Sequence, residues 1–124
     1  GPLMELFKTN GTRLVGEGEV AVHAASRVRG GSTDMGDLSH IMPAIHPYTG
    51  GASGMGHGTD YLVRDYEQAV INPAKVMAMM TIDLLADGAA KAKQVLDQSA
   101  PRMTKKEYIK FQEGRMTQEL YEGG

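Results

Sequence analysis

The chain has no cysteine, no tryptophan and only two phenylalanines among its 124 residues. Without cysteine there is no disulfide framework and no thiolate metal site, so any metal would be held by histidine, aspartate or glutamate. An excess of one charge is lacking too: 13 Lys and Arg stand against 15 Asp and Glu, interspersed, for a formal net charge of −2. That balance leaves no basic face for a nucleic-acid backbone and no acidic tail. No apolar run approaches the ~18 residues of a membrane span, and no signal-peptide pattern opens the chain. The expectation is a cytoplasmic protein with neither a membrane nor a nucleic acid as partner. The length suits one domain or a piece of one. Gly1-Pro2-Leu3 reads as the remnant a cloning protease leaves, which puts the natural start near Met4.

Turn residues and apolar bursts divide the chain in two. Residues 5–60 hold most of the 16 glycines, with short apolar bursts at Leu14-Val15, Val20-Ala21-Val22 and Ile41-Met42-Pro43-Ala44-Ile45, each bounded by turn formers. These predict three or four short strands of a mixed sheet between residues 12 and 48. In residues 67–121 the apolar positions recur at helical spacing. Asn72-Pro73 offers a cap and a proline suited to a first helical position. The residues that follow, from Val76 to Leu85, are apolar on nearly every side, so this helix needs cover on more than one face. Asp87-Gly88 reads as its end or a weak point. Thr104 and Glu107 have capping-box spacing for a last helix carrying Tyr108, Ile109, Phe111, Met116 and Leu120. Met77, Met79 and Met80 read as flexible core filler rather than a ligand groove. The fold class expected is α/β, a sheet in the N-terminal half packed by helices from the C-terminal half.

Three of the four histidines fall within GGSTDMGDLSHIMPAIHPYTGGASGMGHGTDYLVRDYE, residues 30–67. His23, in a strand-like run, reads as a packed or surface residue. His40 and His46 bracket the third apolar burst and could face a cleft at the carboxyl end of a strand, where α/β sheets place ligands. His57 is set among glycines that let a backbone approach a ligand closely. The same glycines suit a plain flexible loop. No HExxH, paired-histidine helix or phosphate-binding loop accompanies them.

The segment Gly31-Ser32-Thr33-Asp34-Met35-Gly36-Asp37, then Ile45-His46-Pro47-Tyr48, His57 and Ala74-Lys75-Val76-Met77-Ala78, taken in order, resembles the close of the catalytic domain in a family of zinc-dependent metallopeptidases and amidohydrolases. That family includes aminoacylase, carboxypeptidase G and p-aminobenzoyl-glutamate hydrolase, and the last of these is the nearest likeness. The resemblance covers about residues 8–90. It implies that His57 is the last ligand of a site holding two divalent metals, zinc or manganese. It further implies that Asp34 orients groups at the floor of the site, that Ser32 and Thr33 offer hydrogen bonds to a substrate carboxylate, and that His46 is a pocket wall. A turn or capping role suits Ser32 and Thr33 equally. The chemistry implied is hydrolysis of an amide in an N-acyl amino acid, a dipeptide or an aminobenzoyl-glutamate-like substrate.

Members of that family are about three times as long, with the other metal ligands and the catalytic glutamate in an earlier half. Only His57 is matched here, so the resemblance makes residues 4–124 the C-terminal part of such a domain. No catalytic residue is assigned within it, and alone it is expected to be inactive and to bind no stoichiometric metal. Its partner would be the missing half or a second copy of itself. The alternative is a non-catalytic α/β module that oligomerises or binds a small anion through the glycine loop.

Overall fold

The computed structural model describes residues 1–21 and 33–120. Its first element is a helix, α1 (Pro2–Val15), with Pro2 at the first turn and Gly16 beyond the last. Leu3, Leu6, Phe7, Asn10, Gly11 and Leu14 recur at three- and four-residue spacing and are the less exposed positions, as one face of a helix requires. Helix therefore replaces the strand expected at Leu14-Val15. Two apolar neighbours carry no period, and the helical register becomes visible only when residues 2–7 are counted in.

A single-turn helix α2 (Asp34–Leu38) follows, and residues 43–50 belong to no helix or strand. The strand expected at Ile41–Ile45 is thus absent: Ser39–Ile41 form a turn, and the Ile41 and Met42 amides donate back to the Leu38 carbonyl. Among the described residues the only sheet is the two-stranded antiparallel pair β1 (Ala52–Ser53) and β2 (Leu62–Val63), with Ala52 opposite Val63 and Ser53 opposite Leu62. Among the described residues the chain is mostly helical and carries one small hairpin, so helix and strand are both present while the strands expected at Leu14-Val15 and Ile41–Ile45 are not formed. The burst at residues 20–22 and His23 lie partly or wholly outside the described residues.

A π-helical turn (Glu67–Ile71) leads without a break into α3 (Asn72–Asp97). Asn72 has φ −64° and ψ −45°, so it is already helical and is not the cap that its side chain suggests. Within α3, Ala86 to Ala89 leave the right-handed helical region, with Asp87, Gly88 and Ala89 at φ 50°, 65° and 62°. The weak point expected at Asp87-Gly88 is a left-handed interruption. The stretch Glu67–Asp97 is by length and composition long and apolar enough to cross a membrane, although it is interrupted there, and only 6% of its most apolar window is buried. A count of consecutive apolar residues misses it because Asn72, Lys75 and Asp83 interrupt the run.

The core lies where α1 crosses α3. Among the described residues the buried apolar side chains are Val76, Met80 and, beyond the interruption, Val95, with Asn10 as a buried polar one. Gly11 lets Val20, beyond the end of α1, pack onto that helix, since a Cβ there would stand 3.0 Å from a Val20 methyl. Asn10 Nδ2 donates to Asp83 Oδ2 at 2.9 Å, tying the two helices. That bond, with Lys91 and Arg13 nearby, holds the Asp83 carboxyl below its usual value.

The last helix, α4 (Lys105–Glu113), carries the full capping box that its spacing predicts but ends at Gly114, short of the Met116 and Leu120 expected on it. The Glu107 amide donates to Thr104 Oγ1, and the Thr104 amide donates to Glu107 Oε2 at 2.7 Å. Hydrogen bonds from Thr104 lower the Glu107 pKa. For both carboxyls the folded pKa lies below the unfolded one, so their contribution is present above the ordinary carboxyl range and lost as pH falls through the folded values. Helicity followed by circular dichroism should therefore decline below about pH 4. Thr104→Ala, which removes the cap, should cost about 1 kcal/mol of α4 stability and blunt the Glu107 part of that decline.

Candidate functional site

The connection between β1 and β2, residues 54–61, carries His57. Its shape is set by backbone bonds rather than packing. The Met55 amide donates to Asp60 Oδ1 at 3.3 Å, and the Gly58 amide donates to the Met55 carbonyl at 2.7 Å. Gly54 has φ 90°, and a Cβ there would collide with the Asp60 carbonyl. Gly54→Ala should therefore open this turn, a change that the His57 ring resonances in an NMR spectrum would report. At the tip His57 adopts φ 66° and is exposed. Left-handed backbone costs a side-chain-bearing residue roughly 1–2 kcal/mol, although histidine tolerates it better than most.

The hairpin is tied to α3. Arg64 Nε donates to Ser53 Oγ at 3.2 Å, and the Gly51 carbonyl accepts from the Arg64 and Asp65 amides at 2.8 and 3.0 Å. Asp65 Oδ1 then accepts from the Gln68 amide at 3.0 Å, opening the π-helical turn. His57 thus stands on a braced turn joined to the longest helix through these bonds among residues 51–68, rather than on a free loop.

The other expected site residues are placed as follows. Thr33 is the N-cap of α2, its hydroxyl accepting from the Met35 amide at 3.5 Å. Asp34 is the first residue of that helix and is exposed, where a carboxylate is favoured by the helix dipole. His46 is exposed, its ring 5.1 Å from that of Tyr48 and tilted by 36°. Ser32 lies outside the described residues. Among the described residues no three His, Asp or Glu side chains converge on a point that could hold a metal ion. Among the described residues, then, His57 stands without the companion donors that a pair of metals needs.

One grouping escapes the sequence reading. His40, with no strand to end, stacks on Tyr108 of α4 at 6.1 Å and 18°, and its carbonyl accepts from the Met103 amide at 3.0 Å. Burial, and next the Asp37 carboxylate, raise the Tyr108 pKa, which a bond from Gln112 partly offsets. His40 Nδ1 is buried and finds no partner among the described residues. These contacts dock the start of α4 onto the turn that follows α2. Tyr108 reads from sequence only as one apolar residue of the last helix, and nothing in its spacing names a histidine 68 positions earlier as its neighbour. Compared with known proteins, the chain matches no family model, no curated protein and no solved structure.

Proposed function

We propose that the chain is the C-terminal part of the catalytic domain of a metal-dependent amidohydrolase, and that His57 is the ligand it contributes to a pair of divalent metals, zinc or manganese. The observation that carries this reading is the conformation of His57. A histidine held in left-handed backbone between two glycines, exposed on a turn braced by Asp60, stores strain that a glycine at the same position would avoid. A turn built only to reverse the chain has no use for an imidazole there; a turn built to present one does. Neutral imidazole is a good donor to either metal.

The remaining donors of the metal pair and the group that activates water come from outside this chain, so no reaction step is assigned to its residues. Asp34 in this reading orients neighbouring groups through its place at the start of α2, and Thr33, already engaged as the cap, holds that turn in position. The substrate is an amide: an N-acyl amino acid, a dipeptide or an aminobenzoyl-glutamate-like compound.

One imidazole binds zinc weakly, because affinity arises from several ligands acting together. Titrated with zinc in a calorimeter, the isolated chain should show no stoichiometric site, and it should hydrolyse none of the three amide classes. A tight one-to-one zinc site in the isolated chain would contradict the reading, since it would mean that the ligands are already complete. The rival reading, a non-catalytic module that oligomerises, draws on a different feature, the exposed face of α3.

A further inference from the structure

We infer that the exposed face of α3 is a two-fold interface between two copies of this chain, packed antiparallel about Ala78. The face is defined by what α1 leaves uncovered. Val76 and Met80 point to α1 and are buried, while Ile71, Ala74, Ala78, Ile82 and Leu85 occupy the opposite arc and are exposed. The larger ones are 41%, 67% and 66% accessible at Ile71, Ile82 and Leu85.

Two polar residues fall on this arc, and both are neutralised within the chain. Thr81 Oγ1 donates to the Met77 carbonyl at 2.8 Å, so its hydroxyl is satisfied within the helix. Lys75 lies at the edge and is drawn to Glu67, Nζ to Oε1 at 3.0 Å. What remains is a dry stripe about 21 Å long at 1.5 Å per residue. A soluble helix apolar on both sides needs a second cover.

The occupant follows from the order of side chains along the stripe. Counted from Ala78, its members lie seven before, four before, four after and seven after, a spacing that reads the same in both directions. A two-fold axis at Ala78 and perpendicular to the helix therefore sets Ile71 against the partner's Leu85, Ala74 against the partner's Ile82, and Ala78 against itself. Large meets small where the helices are closest, and large meets large where they diverge. No like charges are brought together, and antiparallel helix dipoles attract. An isologous contact of this kind needs one self-complementary surface, which this stripe provides.

The chain exposes 10210 Å² in all, against about 6,500 Å² for a compact monomer of its mass, so surface is left for a partner to cover. The inference does not depend on the hydrolase reading: a segment of a larger enzyme lying on the same face would leave this chain monomeric.

Sedimentation equilibrium of the chain at tens of micromolar should give twice the monomer mass. Ala78→Glu sets two carboxylates on the axis and should return the monomer mass with an unchanged circular dichroism spectrum, since Ala78 is exposed in the single chain. Because the chain has no cysteine, oxidative cross-linking adds a test of register. Ala78→Cys should link to itself, and a mixture of Ile71→Cys and Leu85→Cys should form the mixed dimer, whereas Ile71→Cys alone should not link. A monomer for the wild-type chain, a dimer indifferent to Ala78→Glu, or self-linking by Ile71→Cys would each overturn the inference. So would a wild-type chain that stays monomeric in buffer and pellets with phosphatidylcholine vesicles, which would make lipid the occupant.

Discussion

On the proposed amidohydrolase reading, His57→Ala in the full-length protein is expected to abolish nearly all amide hydrolysis while leaving the fold intact. The two halves of that outcome have separate physical grounds. The imidazole is exposed at the tip of residues 54–61, and the turn beneath it is held by the Met55, Gly58 and Asp60 bonds, none of which uses the His57 side chain. Removing the ring therefore takes nothing from the core, and alanine should leave the unfolding midpoint within about 0.5 kcal/mol of wild type. A residue that merely supports a metal ligand costs about 10–100-fold in metal affinity or activity when it is lost, and a ligand itself should cost more. The measurements are metal content and turnover for wild type and His57→Ala prepared side by side. His57→Gly serves as a second arm: it removes the ring and also relieves the left-handed backbone, so it should be as inactive as alanine but somewhat more stable. Equal metal occupancy and equal turnover in all three proteins would make the histidine a bystander and remove the proposed function.

Local signals of fixed span were legible in the sequence. The capping box at Thr104 and Glu107 forms as its spacing requires, because both of its bonds close within four residues. The interruption at Asp87-Gly88 and the all-round apolar character of α3 also follow from short-range pattern. The strand expected at Leu14-Val15 failed for a physical reason: a two-residue burst satisfies a strand and a helix face equally, and length and period arbitrate between them. Counting Pro2 to Phe7 with it would have revealed the helical face. The contact of His40 with Tyr108 and the bond of Asn10 to Asp83 span 68 and 73 residues, and single-sequence spacing carries no information about such pairs. For the candidate site, the glycine setting of His57 was visible, whereas its positive φ and the bracing by Asp60 were not, since both belong to the turn as a whole.

The three methionines of α3 illustrate how much that distinction matters. From sequence they share one reading as core filler, yet Met80 is buried, Met79 is half-buried and Met77 is 63% exposed. Met80→Ala should accordingly be the most destabilising of the three. Deleting a buried methionine side chain costs about 2–5 kcal/mol, the loss of transfer energy adding to the cavity left behind. The buried apolar set among the described residues is only Val76, Met80 and Val95, so no neighbouring layer is available to collapse into the space. Small domains have little stability to spare against such a loss. Chemical denaturation of Met80→Ala should show a midpoint far below wild type or no cooperative transition at all, with α1 released from α3 because Met80 lies on the face that α1 covers. Met116→Ala is the control: that side chain is 82% exposed, and its removal should shift the midpoint by no more than about 0.5 kcal/mol. If the two substitutions proved equally mild, the contact between α1 and α3 would not be the core of this chain, and the cover on α3 would have to come from elsewhere on both of its faces.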